Sequence, residues 1–242
     1  MPRIFCSSLI FLVTITKTKI RKIHKEPIKI KKALKLSLEA YDFLEGVIKP
    51  GISEKEVFEK LEIFVKNHGS GFSFPPIIAS GPNSCYPHAK ITDRKIRSDD
   101  LVLLDMGIDV QGYKSDLTRI FFLGKIPQLV REVYGIVQTA QRKAIGKIRP
   151  GIFAHEVDEE SRNYLKNHRL DKFFGHSLRH GVGLEIHEGP TISQKSPSVL
   201  KENMVFTVEP AVYLPNKFGI RIEDMVLVTK QGCEVLSDNF DK

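Results

Sequence analysis

The chain has 242 residues, of which 41% are hydrophobic and 27% charged, the composition of an ordinary globular protein with enough length for a substantial core. Its formal net charge of +8 is unevenly distributed, since residues 1–35 contain ten of the lysines and arginines and a single acid. The remainder is nearly neutral, which excludes the basic body typical of nucleic-acid-binding proteins. The basic lead segment either contacts an anionic surface or is simply solvated.

The cysteines and the apolar segment near the N-terminus indicate the compartment. Cys6, Cys85 and Cys233 are scattered and lack CxxC spacing, which argues against a disulfide framework and a zinc–thiolate site and for a reducing, cytoplasmic location. The apolar residues 9–15 are too few to cross a membrane. Because no small-residue cleavage site follows them, we predict a truncated leading strand there and not a signal peptide.

Helical periodicity begins at about residue 26. Apolar residues at helical spacing over 30–47 predict a first helix, which a Pro-Gly pair ends. Ser53 and Glu56 have the spacing of a capping box and predict the start of a second helix. The residues that this helix is expected to bury are Val57, Leu61, Phe64 and Val65. Residues 127–148 predict another amphipathic helix.

The segment 70–90 is rich in glycine, proline, serine and asparagine. This composition predicts a long ordered loop, which contains His88.

Two acids lie within a predicted hairpin over residues 101–124. Apolar runs flank a turn at Gln111 and Gly112, and Asp105 directly follows the first run while Asp116 precedes the second. A carboxylate in such a buried position is costly unless a positive group pairs with it or it binds a metal ion.

A second hairpin repeats this arrangement. Residues 204–208 form an apolar run that ends at Glu209, and the returning strand begins at Gly219 and carries Glu223. Two hairpins with two acids each predict that four carboxylates meet at one site.

An internal repeat supports this symmetry. The sequence IKPGI at 48–52 reappears as IRPGI at 148–152, an offset of 100 residues, although Phe153 replaces the capping Ser53. We therefore predict two related halves across a pseudo-twofold axis, with the carboxylates of both halves at the seam.

The segment 176–188, HSLRHGVGLEIHE, adds histidines in a turn-rich context that includes His180 and His187. One imidazole and four carboxylates make a five-ligand set that can hold two divalent cations. Ligation dominated by oxygen favours Mn²⁺ and leaves Zn²⁺, Co²⁺ and Fe²⁺ open.

The order of these motifs resembles the pita-bread metallopeptidases, which include methionine aminopeptidases and proline-specific aminopeptidases and dipeptidases. The resemblance covers about residues 26–240 and implies an α+β fold of two pseudo-symmetric halves, with a curved antiparallel sheet covered by helices. It also implies that residues 26–242 are the catalytic domain and that residues 1–25 are a basic lead segment. Because the Xaa-Pro enzymes of this family usually have a separate N-terminal domain, this segment is either the remnant of such a domain or the start of a stand-alone variant.

The resemblance implies the roles of the site residues. The metal ligands would be Asp105, Asp116, His180, Glu209 and Glu223. The residues that contact the substrate would be His88, His176, His187 and Arg221. Two metal ions would activate a water molecule and polarise the scissile carbonyl. Glu209 would then pass a proton to the leaving nitrogen, while His88 and His187 would donate hydrogen bonds to the substrate carbonyl. Arg221 either orients a ligand acid or is an ordinary cation on a strand surface.

Three segments are similar to the Xaa-Pro branch of this family, the proline-specific aminopeptidases and dipeptidases (prolidases). They are 113–122, 209–213 and 219–225. The similarity implies removal of the N-terminal residue from peptides with proline in second position. It implies a peptide partner with a free N-terminus and no nucleic-acid or membrane partner, and it leaves a homodimer open.

Two residues depart from the family pattern, and two alternatives stay open. Arg179 and Ala211 both stand where the family commonly has glycine, and the arginine would crowd the site or disturb its affinity for metal. One alternative is a methionine aminopeptidase with the same chemistry. The other is a non-catalytic pita-bread module that binds peptides or proteins.

Overall fold

The computed structural model describes the backbone of residues 8–238 and the side chains of residues 27–238. The α-helices of this part are α1 (Ser8–Val47), α2 (Glu54–Asn67), α3 (Gln128–Lys147) and α4 (Ala154–Asn167). The strands that precede α3 are β1 (Gly71–Phe72), β2 (Ile77–Ser80), β3 (Leu101–Met106), β4 (Ile108–Val110), β5 (Tyr113–Lys114) and β6 (Leu117–Phe122). The strands that follow α4 are β7 (Arg179–Gly181), β8 (Glu188–Ile192), β9 (Val205–Val208), β10 (Ala211–Leu214), β11 (Phe218–Arg221), β12 (Asp224–Val228) and β13 (Cys233–Val235).

The N-terminal part of α1 corrects one prediction. Residues 9–15 are helical and do not form the expected leading strand. The prediction was wrong because the periodicity of a short apolar run does not distinguish a strand from a helix. The helix starts well before residue 26 and ends at Val47, before the Pro-Gly pair. Cys6 lies outside the described residues, as do the side chains of the whole basic lead segment, residues 1–25. Lys31, which is described, pairs with Glu234 at 2.6 Å.

The second helix of each half starts in a related way. The predicted capping box of α2 is confirmed, because the Ser53 hydroxyl accepts a hydrogen bond from the Glu56 N–H at 3.2 Å and the Ser53 N–H donates to the Glu56 carboxylate at 2.7 Å. In α4, 100 residues later, only the return bond forms, from the Phe153 N–H to Glu156 at 2.9 Å. Phenylalanine has no side-chain acceptor. Of the residues expected to be buried by α2, all are buried except Phe64, which is half-buried.

The first predicted hairpin is an interrupted ribbon. Strands β3 and β6 pair antiparallel, and after a break β4 and β5 pair around the turn at Gln111 and Gly112, which both have positive φ. The break lies at Gly107 on one side and at Ser115 and Asp116 on the other. A β-carbon on Gly107 would lie 1.8 Å from the Ser115 carbonyl oxygen, so the chain can bend there only with glycine.

The second ribbon has the same break. Strand β9 pairs with β12, and β10 pairs with β11. The acid Glu209 follows β9 in one gap, and Glu223 precedes β12 in the other. An isolated bridge between Thr118 and Glu223 joins the two ribbons. The predicted seam between the halves is therefore the place where both ribbons are interrupted.

The segment 70–90 is more regular than its composition predicted. The expectation of a loop is wrong for Ile77–Ser80, which pairs with β3 and extends the sheet to the order β2-β3-β6. Prolines and a glycine on either side conceal this short strand in the sequence. His88 lies beyond it, after a short 3-10 helix over Gly81–Cys85.

Each half has its own hydrophobic core. In one, α1 and α2 cover the first ribbon, and in the other, α3 and α4 cover the second. Strand β3 belongs to both, because Leu101 and Leu103 lie in the core of the second half while Val102 and Leu104 lie in that of the first. This explains its uninterrupted apolar run. The architecture is the predicted α+β arrangement of helices over antiparallel sheets. None of the described helices combines the length and the apolar character that crossing a membrane requires.

Candidate metal centre

Three carboxylates meet where the two ribbons are interrupted. Asp105 comes from β3, and Asp116 and Glu223 come from the breaks before β6 and β12. One oxygen from each lies within 4.8 Å of the others. All three residues are buried, with at most 4% of their surface exposed. Such a cluster of like charges away from water needs a cation to neutralise it.

Polar neighbours fix the orientation of two of these acids. The Thr118 hydroxyl donates to Glu223 at 2.7 Å, and Arg221 donates to Asp105 at 2.5 Å and to the Thr118 hydroxyl at 3.1 Å. Arg221 also contacts the Tyr213 hydroxyl. Only 1% of Arg221 is exposed, so it is not a solvent-facing strand cation and lies where it orients a ligand acid.

The other two predicted ligands lie beside this group. The His180 Nε2 atom is 3.7 Å from an Asp116 oxygen. Glu209 is completely buried, with one carboxylate oxygen in contact with the Arg179 Nε atom and the other 3.9 Å from Arg221. The structure therefore brings three of the five predicted ligands into one group and places His180 at its edge. Glu209 is held by an arginine.

Several buried atoms of this centre lack a hydrogen-bond partner in the part of the chain that the structure describes. Those that belong to predicted metal ligands are Asp105 Oδ1, His180 Nε2, Glu209 Oε2 and Glu223 Oε1. Buried polar atoms are normally satisfied, so four of them at one centre indicate a group that binds there. Carboxylate oxygens and an imidazole nitrogen are donors that suit Mn²⁺ and similar divalent cations. The residues present therefore fit a metal site.

Burial also shifts the protonation of these residues. It raises the pKa of Asp105 to about 6, although Arg221 opposes the shift, and it raises the pKa of Asp116 well above its usual value. Burial lowers the pKa of His180 to about 4, and the charge of Arg179 adds to this effect. The imidazole is thus neutral at pH 7 with a lone pair available, whereas protons compete with a cation for the carboxylates.

Two cavities meet at this centre. One of about 500 Å³ is lined by Asp105, Asp116 and His180, together with His187. The other, of about 390 Å³, is lined by His176 and Arg221 among others.

The predicted substrate residues lie on these walls. His88 lines both cavities, and both His88 and His187 are exposed. The His187 ring packs edge-on against His180, with 4.2 Å between ring centres. Burial lowers the pKa of His176 to about 3, and its ring lies 3.3 Å from the Tyr213 hydroxyl. The arrangement is a cleft with acids at its base and imidazoles along its walls.

Residues that we did not single out support the site. Thr118 and Tyr213 hold Glu223 and Arg221 as described above. Glu54 is completely buried and accepts hydrogen bonds from a loop that carries His88. Glu54 lies in the first turn of α2, where acids are common, so the sequence does not distinguish it from a solvent-exposed acid.

The sequence and the fold are both similar to those of known proteins. The model of metallopeptidase family M24 matches residues 28–230. An Xaa-Pro dipeptidase of Pyrococcus horikoshii is 41% identical over 220 residues, which cover 90% of this chain and 63% of that protein. The solved structure of a prolidase from Pyrococcus furiosus superimposes with a TM-score of 0.87 at 41% identity, covering 90% of this chain and 65% of that one. An X-Pro aminopeptidase of Thermotoga maritima gives a TM-score of 0.86 at 39% identity, covering 92% of this chain and 64% of that one. The chain thus spans less than two thirds of the length of each of these relatives.

Proposed function

Since the chain belongs to metallopeptidase family M24, we propose that it hydrolyses peptides with proline in second position and releases the N-terminal residue. The observation that carries this proposal is the set of four buried ligand atoms without hydrogen-bond partners at the base of the cleft. Relatives named Xaa-Pro dipeptidase and prolidase favour this substrate over the N-terminal methionine of a methionine aminopeptidase.

The proposed cofactor is a pair of divalent cations, with Mn²⁺ preferred for its affinity for carboxylate oxygen. Asp105, Asp116, His180, Glu209 and Glu223 would hold them. When bound, the ions would lower the pKa of a water molecule and polarise the scissile carbonyl. The burial of these residues supports this role, because cations also relieve the repulsion between the acids.

The remaining residues of the cleft would bind and orient the peptide. His88 and His187 are exposed on its wall and offer N–H donors to the carbonyl and to its developing negative charge. His176 borders the adjacent cavity, where it would contact the peptide. Glu209 would pass a proton to the leaving nitrogen. Arg221 would keep Asp105 in position through the 2.5 Å hydrogen bond.

The wider assignments rest on the sequence. We assign the catalytic domain to residues 26–242 and the basic lead segment to residues 1–25. We assign the protein to the cytoplasm, because its cysteines are few and scattered and Cys85 and Cys233 are free thiols, as is usual in a reducing compartment. The expected partner is a peptide with a free N-terminus. A homodimer stays a prediction.

A peptide panel tests the activity. The purified full chain is incubated with an Ala-Pro dipeptide, an Ala-Pro-containing tripeptide and a Met-Ala-containing tripeptide, with and without added Mn²⁺. We expect Mn²⁺-dependent release of alanine from the Ala-Pro peptides and no release of methionine. Methionine release without Xaa-Pro cleavage would show the other aminopeptidase class, and no cleavage of any peptide would contradict the proposal.

A matched pair of variants tests the metal ligands. Asp116→Asn should abolish turnover while the circular dichroism spectrum is retained. Asp116 lies near both the other two acids and His180, and the variant removes its negative charge. Asp109→Asn lies in the outer tier of the same ribbon, where Asp109 pairs with Lys114 at 2.7 Å, and should retain activity. Turnover by Asp116→Asn in Mn²⁺-containing buffer would contradict the assignment.

A further inference from the structure

Arg179 has a backbone conformation that an arginine rarely adopts. Its φ is +151°, a region populated almost only by glycine. The residue opens β7, where it pairs with Ile192 of β8, so its conformation is set by the sheet on one side. The neighbouring Leu178 carbonyl accepts a hydrogen bond from the Glu209 N–H at 3.2 Å, which places β7 beside the acid-bearing end of β9.

The side chain of Arg179 enters the metal centre. Its Nε atom contacts a carboxylate oxygen of Glu209, and only 20% of the side chain is exposed. Arg179 lines both cavities, so it stands between them. A positive charge therefore contacts Glu209, and Arg179 directly precedes His180 in β7. Neither Glu209 nor His180 belongs to the group that the three close carboxylates form.

From this division we infer that Arg179 is a built-in competitor for one of the two cations. The carboxylates of Asp105, Asp116 and Glu223 bind a first divalent ion, whereas a second ion at Glu209 and His180 must displace the guanidinium. The two ions therefore bind with very different affinities in this chain. This inference rests on the metal site of the proposed function, but it concerns the occupancy of that site and not turnover.

Mn²⁺ titration of the metal-free full chain by calorimetry tests the inference, with electron paramagnetic resonance to detect free Mn²⁺. We expect one tight ion, and a second ion that binds at least about 100-fold more weakly, the factor that corresponds to breaking one buried ion pair. In Arg179→Gly and Arg179→Ala the second ion should bind at least about tenfold more tightly, since both lack the guanidinium. Arg179→Lys keeps a positive charge and should behave like the wild type.

The variants separate the guanidinium from the backbone. The alanine variant keeps a β-carbon at the strained φ, so a gain shared by the alanine and glycine variants is due to the lost charge. Glu209→Gln in the wild-type chain supplies a second measurement, and the first ion should then bind within about threefold of the wild-type affinity. A larger loss would overturn the inference.

The outcomes separate this inference from the proposed function. Two ions of equal affinity in the wild type would overturn the role of Arg179 and leave the peptidase proposal standing. Variants that bind the second ion no more tightly than the wild type would overturn it as well, as would a lysine variant that matches the alanine variant. A wild type that binds no Mn²⁺ would contradict the metal site itself, and the proposed function with it.

Discussion

The clearest stability prediction concerns Glu54, a buried acid that is not part of the metal centre. One of its oxygens accepts hydrogen bonds from the Ser80 N–H at 2.7 Å and the Ser80 hydroxyl at 2.8 Å. The other accepts from the Thr92 N–H at 3.0 Å and the Thr92 hydroxyl at 2.6 Å. Asn83 donates to both oxygens. The carboxylate thus closes the loop that carries His88.

Glu54→Gln keeps the shape of this side chain and replaces one acceptor oxygen by an NH₂ donor. On either side the new donor faces a backbone N–H, which cannot rotate away as a hydroxyl can. A charge-assisted hydrogen bond is worth about 1.5–3 kcal/mol, and a buried donor left without an acceptor costs about 1–3 kcal/mol. We therefore expect the free energy of unfolding to fall by about 3–5 kcal/mol.

Guanidinium unfolding of the metal-free protein measures this difference. Glu59→Gln is the matched control, because Glu59 lies exposed on the same helix and its replacement should change stability by no more than about 0.5 kcal/mol. The number of Mn²⁺ ions bound by the Glu54→Gln variant should be unchanged, since Glu54 is not a predicted ligand. A loss below about 1 kcal/mol would refute the view that this acid is a structural anchor.

Three further predictions follow from individual contacts. The apparent Mn²⁺ association constant should fall about tenfold per pH unit below about pH 6, because burial raises the pKa of Asp105 to about 6 and the proton must leave before the ion binds. Calorimetry between about pH 5 and pH 7 measures this, and a pH-independent constant would contradict it. Tyr41→Phe should lower the free energy of unfolding by about 1–2 kcal/mol, because the buried hydroxyl donates hydrogen bonds to carbonyls of β3 and β6 at 3.0 and 2.7 Å. Denaturant unfolding measures this, and an unchanged midpoint would argue against those bonds. Gly107→Ala should lower the free energy of unfolding by more than about 3 kcal/mol, because the added methyl group would lie 1.8 Å from the Ser115 carbonyl oxygen. The same denaturant unfolding measures this, and wild-type stability would mean that the bend can relax.

The acids at the ribbon seam were predictable because each ends or precedes an apolar strand run, where an unpaired charge is unfavourable. The interruption of both ribbons was not, since it depends on packing between the halves, as the close approach of Gly107 to Ser115 shows. Strand β2 was concealed by prolines, and the start of α1 by a short apolar run. For Arg179 the sequence indicated a departure from the family pattern, but only the structure shows its contact with Glu209.

The two interruptions also explain how the acids and the contact between the halves arise together. A residue in a gap has no partner within its own ribbon, so its backbone can bond the other ribbon, as the Glu223 N–H does to the Thr118 carbonyl at 3.2 Å. Next to it, Arg119 of β6 pairs with Asp224 of β12 at 2.8 Å, and both are buried. These contacts join the halves without using the four ligand atoms that lack partners. The fold therefore holds the carboxylates close together, and a cation that binds there would be stabilised because it relieves the repulsion between them.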